Sequence, residues 1–160
     1  MSVHCASDSI RAVISDRVQT GIRVGGLAGA TTACVLVGLG VRHGTAVEPF
    51  LVQGRAFLSI LGGNAPPSVV AVGVGILVHF TWMLLWGVCF SAVATSLRGF
   101  ALVATATLFV LLVGALASTI VPGAPGAAAM APLSTPQTIF LLILLGGALI
   151  AGVRAMRPAA

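Results

Sequence analysis

The sequence predicts an all-α integral membrane four-helix bundle, with an N-terminal amphipathic helix and a short outer interfacial helix. Three observations predict it. Four stretches, 24–41, 69–94, 100–121 and 137–153, hold no Asp, Glu, Lys or Arg. Each is close to the roughly 17–25 residues that cross a hydrocarbon core about 30 Å thick. Hydrophobic residues make up 58% of the chain and charged residues 7%, against about 25% charged in soluble domains. Finally, every charge falls outside the four stretches, as helices in lipid require.

Taken in order, the first element is the amphipathic segment 8–22. Ile10, Val13, Ile14, Val18 and Ile22 recur at helical spacing, with Asp8, Arg11, Ser15, Asp16 and Gln19 largely opposite. Two arrangements fit: a helix flat on the membrane surface, or a plain extension of the first span. The first span, 24–41, carries a GxxxG pair, Gly25 and Gly29, and small residues four apart let helix backbones approach closely. A secretory leader fits poorly. Over 20 residues precede the apolar run, which exceeds the usual 7–15, so the segment is expected to stay as an anchor.

The connection 43–68 contains an expected helix at 49–61. Pro49 suits a first helical turn and Glu48 a helix N-terminus. Phe50, Leu51, Phe57, Leu58 and Leu61 form the apolar side, with Arg55 and Ser59 opposite, and Gly62-Gly63-Asn64 followed by Pro66-Pro67 stops the helix. A headgroup anchor is the simpler expectation for it, and a lid over a cavity the sharper one. The tight connection Thr95–Gly99 makes spans two and three antiparallel neighbours. The connection 122–136 is uncharged and interrupted by Pro122, Pro125, Pro132 and Pro136, so it is expected to be irregular. In the fourth span, Gly147/Ala151 and Ala148/Gly152 repeat the small-residue spacing.

The 160 residues fit a single membrane domain. A sequence pI of 11.2 invites a nucleic-acid reading, but the arginines form no basic cluster with interleaved aromatics. Their positions instead predict topology. With the N-terminus inside, Arg11, Arg17, Arg23, Arg98, Arg154 and Arg157 are cytoplasmic and only Arg42 and Arg55 lie outside. That bias places both termini in the cytoplasm of a multi-pass protein. Membrane lipids are the expected partners, with a homo-oligomer or a membrane-complex partner also compatible. Cys5, Cys34 and Cys89 show no metal or redox spacing.

His79 is the ionisable side chain nearest the middle of a span, and such a group is a functional candidate. Trp82, Met83, Trp86 and Phe90 share its helix face, and Gly75 one turn earlier leaves room beside the ring. Together His79, Trp82, Met83 and Trp86 could line a pocket for an apolar or aromatic small molecule. The plainer reading is a neutral histidine hydrogen-bonded to a Thr, Ser or backbone group on a neighbouring helix, with Thr105, Thr107, Ser118 and Thr119 of the third span as candidate partners. No catalytic set, metal site or cofactor is expected. Haem would need a second axial ligand at the same depth from the opposite side, whereas His43 lies at the surface and Met83 on His79's own face. The acids Asp8, Asp16 and Glu48 are divided between the two membrane sides by this topology. A haem-binding protein or membrane enzyme is therefore the least favoured class, behind a non-enzymatic bundle or complex subunit and a small-molecule binder or carrier.

The layout from Val24 to Val153 resembles uncharacterised small four-span bacterial inner-membrane proteins. The resemblance rests on the Gly/Ala-rich first span, the run Gly75-Ile76-Leu77-Val78-His79, the pair Trp86-Gly87, the proline-containing loop and the Gly-Gly fourth span. It implies this architecture and a bacterial inner-membrane location, and nothing about mechanism.

Overall fold

A computed structural model describes residues 3–42, 44–62, 67–119, 130 and 133–157. The described residues form five helices and no strand: α1 (Val3–Arg42), α2 (Glu48–Ile60), α3 (Ser68–Ala94), α4 (Gly99–Thr119) and α5 (Thr135–Ala155). Four of them, all but α2, contain stretches long and apolar enough to cross a bilayer. The irregular connection expected at 122–136 falls mostly outside the described residues, as do 120–121 of the third span. Pro136 instead sits in the first turn of α5, where a missing N–H leaves no intrahelical bond unmade.

No break separates the expected amphipathic segment from the first span. Residues 8–22 and 24–41 belong to one helix, α1, which is the extension rather than the separate surface helix. Its stretch from Arg17 onward is docked on α3: Ser91 Oγ donates to the Arg17 carbonyl at 3.2 Å, and Gly21 abuts Val88. The side chains of Ile10, Val13 and Ile14 lie outside the described residues.

α1 and α3 run antiparallel, with Gly21 opposite Val88, Gly25 opposite Leu84 and Gly29 beside Phe80. A Cβ on Gly25 would stand 2.5 Å from the Met83 carbonyl oxygen, and one on Gly87 would meet the Gly25 backbone. Bare backbone on both sides is what lets the two helices come this close. α5 packs antiparallel on the other side of α1, where Gly152 and Ala148 are buried and Val24 lies against Gly152. The companion pair, Gly147 and Ala151, is exposed, and a Cβ on Gly147 would meet nothing within 4 Å. The small seam of α5 is therefore Ala148/Gly152. One residue of offset turns a side chain about 100° around the axis, so only one of two adjacent small pairs can face a given neighbour.

α2 matches the expected helix 49–61 to within a residue at each end. It packs along α3, with Pro49, Phe50, Gln53 and Gly54 buried. Gly54 and Gly75 meet backbone to backbone: a Cβ on Gly54 would run into the Ala71 carbonyl, and one on Gly75 into that of Phe50. The room expected beside Gly75 is thus filled by α2 itself. Leu61, counted on the apolar side from sequence, is exposed. Gly62, at φ 76°, then turns the chain out of the helix in a conformation only glycine adopts without strain.

Two apolar clusters hold the bundle. The larger joins Val24 and Ala28 of α1, Phe90 and Ala94 of α3, Leu102, Ala106 and Val110 of α4, and Leu145, Leu149 and Val153 of α5. The smaller joins Leu36, Phe50 and Leu141 toward the far end. The candidate polar site lies between them.

Candidate functional site

The centre of the site is His79, at 3% exposure. It lies 11 residues into α3, about 16 Å along the axis from the helix start. Its Nε2 is 3.2 Å from the Gly29 carbonyl oxygen and 3.1 Å from Thr32 Oγ1, both on α1. A carbonyl only accepts, so this geometry places the ring proton on Nε2, from where it donates to Gly29 and is shared with Thr32. The Thr32 hydroxyl in turn donates to the Ala28 carbonyl at 2.8 Å. Phe50 of α2 and Phe80 of α3 stand edge-on to the imidazole, at centroid distances of 5.6 and 5.5 Å. One ring therefore ties α1, α2 and α3 together.

The partners are a Thr and a backbone carbonyl of a neighbouring helix, but that helix is α1 and not the third span. Thr107 donates to its own helix at the Val103 carbonyl, His79 bonds to α1 rather than to Thr105, and the side chains of Ser118 and Thr119 lie outside the described residues. His79 Nε2 faces the close α1–α3 seam, where glycine brings the backbones together.

Trp82, Met83 and Trp86 divide between two surroundings. Trp82 and Met83 line a cavity of about 70 Å³ with His79, Thr32, Gln53 and Leu145. Trp82 is 44% exposed, so it reaches from that cavity to the outer face of the bundle. Trp86 faces α4, edge-on to both Trp82 and Phe109. Its Nε1 is buried and has no hydrogen-bond partner among the described residues.

Sequence reasoning missed Gln53. It is 4% exposed, lines the cavity, and its Oε1 has no hydrogen-bond partner among the described residues. A signal was available: Phe50, Gln53, Gly54 and Phe57 fall at helical spacing, and a Gln beside a Gly can occupy a buried face. Among the described residues, no three His, Cys, Asp or Glu side chains come together as metal ligands. Cys34 and Cys89 are free and exposed on α1 and α3. His43 lies outside the described residues.

Arginines gather at the end of the bundle where α3 stops. Arg157 donates to the carbonyls of Thr95 and Leu97, satisfying acceptors left open at the C-terminus of α3. Arg23 reaches Met156 Sδ at 3.8 Å. Comparison with protein-family models, with curated proteins and with solved structures found no match.

Proposed function

We propose that the chain is a multi-pass integral membrane protein, with both termini cytoplasmic, acting as a non-enzymatic helical bundle or complex subunit. One observation carries the reading. Leu77, Leu108, Leu111, Phe140 and Ile143 are all more than half exposed, on the outward surfaces of α3, α4 and α5. A belt of this kind is unfavourable in water and ordinary against acyl chains. The commitment of the His79 proton to Gly29 and Thr32 supports a structural role for that residue within the bundle.

Extraction of isolated membranes at alkaline pH tests insertion. The chain is expected to stay in the pellet, and release with peripheral proteins would contradict the proposal. A second reading, a binder of an apolar small molecule, is favoured by the cavity beside His79. Native mass spectrometry with lipids retained separates the two: stoichiometric small-molecule adducts support the binder, and an adduct-free bundle supports the first reading.

A further inference from the structure

We propose that the cavity beside His79 receives the hydroxyl-bearing head of a membrane-dissolved amphiphile, selected by Gln53 Oε1. This rests on the binder reading and names the ligand class it would take.

Gln53 is almost wholly buried and its Oε1 lacks a hydrogen-bond partner among the described residues, which is costly for an amide oxygen out of water. Its helix is fixed on either side, because Phe50 lies against His79 and Gly54 is locked against Ala71 and Gly75. Neither Thr32 nor His79 Nε2 supplies Oε1 with a donor: the Thr32 hydroxyl is used on Ala28, and His79 Nε2–H on Gly29 and Thr32. A ligand satisfying Gln53 Oε1 must therefore bring its own donor. A carboxylate brings none and would also bury a charge.

Size and surroundings narrow the class. The remaining wall is apolar, with Leu36, Met83, Val113 and Leu141. About 70 Å³ exceeds the roughly 30 Å³ share of a water in liquid but falls short of an engineered cavity of about 150 Å³ that takes benzene. A hydroxymethyl group and a short length of chain fit; a ring system does not. Trp82, half-exposed at the cavity wall, leads to the surface that lipid would cover, so a tail can remain in the bilayer.

The test uses 1-decanol and 1-fluorodecane, which match in chain length and nearly in head size but differ in the donor. Purified full-length protein in detergent is titrated with each at matched mole fraction, reading tryptophan emission and the shift in unfolding temperature. Decanol is expected to half-saturate at about a tenfold lower mole fraction than fluorodecane. In Gln53→Leu both probes should still bind and the tenfold preference should vanish. Equal binding of both probes by the parent overturns the hydroxyl selection and leaves the binder reading standing; a cavity that binds neither, being filled by water alone, overturns both. A preference that persists in Gln53→Leu also overturns the assignment to Gln53. Should that variant fail to fold, Gln53→Met serves in its place, and the comparison in the parent decides independently of either.

Discussion

Thr32 and Gly29 determine what His79 does in this bundle. Because the imidazole proton goes to a carbonyl and is shared with a hydroxyl that itself back-bonds to Ala28, the contact is a tie between helices. Such ties are modest in lipid, averaging about 0.6 kcal/mol. Thr32→Val should therefore lower stability by about that amount in reversible detergent unfolding. His79→Ala should cost several times more, about 2 kcal/mol, because it also empties the space between Phe50 and Phe80. Equal effects of the two changes would show that packing around the ring contributes nothing. Trp86 gives the opposite expectation. Its indole N–H is buried without a partner among the described residues, so Trp86→Phe should keep the aromatic contact with Phe109 and cost no more than about 1 kcal/mol in the same assay, the packing lost with the smaller ring being offset by removal of the unpaired N–H. A loss above about 1 kcal/mol would mean that the N–H has an acceptor.

At the scale of elements, backbone proximity organises the packing more than hydrophobic pattern does. Gly25 and Gly87 bring α1 onto α3, and Gly54 and Gly75 bring α2 onto the same helix. Gly25→Ala should destabilise the protein by about 2 kcal/mol, since the added methyl meets the Met83 backbone rather than a movable side chain. Gly147→Ala should be neutral or gain up to about 1 kcal/mol from helix propensity, because nothing lies near it. Thermal melting of the two variants side by side checks the pair, and similar melting of both would refute the assigned faces. The same comparison shows what was legible. Charge-free length picked out four long apolar helices, but it left open that the first continues without a break from 8–22, because a run of apolar residues marks a length and not a helix end. The face that α2 buries was not legible from its large apolar residues. Phe50, Gln53 and Gly54 are buried while Leu61 is exposed, since a glycine's value lies in the backbone it admits. Nor could residue types decide between Gly147/Ala151 and Ala148/Gly152, which carry the same spacing. The start of α5 carries a signal that the span 137–153 passed over: Ser134 and Gln137 form a capping box, with Ser134 N–H donating to Gln137 Oε1 at 2.8 Å.

For the whole molecule, α1 running antiparallel to both α3 and α5 sorts the arginines by end. Arg17 lies level with Ser91 near the end of α3, Arg23 touches Met156, Arg98 is in the turn after α3, and Arg157 caps that helix. Arg42 and Arg55 lie at the opposite end, where α1 finishes and Arg55 Nη2 reaches Ser68 Oγ. Arginine-rich ends of membrane bundles are retained on the cytoplasmic side. The central claim, a four-span bundle with its arginine-rich end inside, is tested most directly by reporter fusions at three points: within 44–47, after Arg98 and after Arg157. The first fusion is expected to give an external signal and the other two cytoplasmic signals. A cytoplasmic signal from 44–47, or an external one after Arg98 or Arg157, would contradict it.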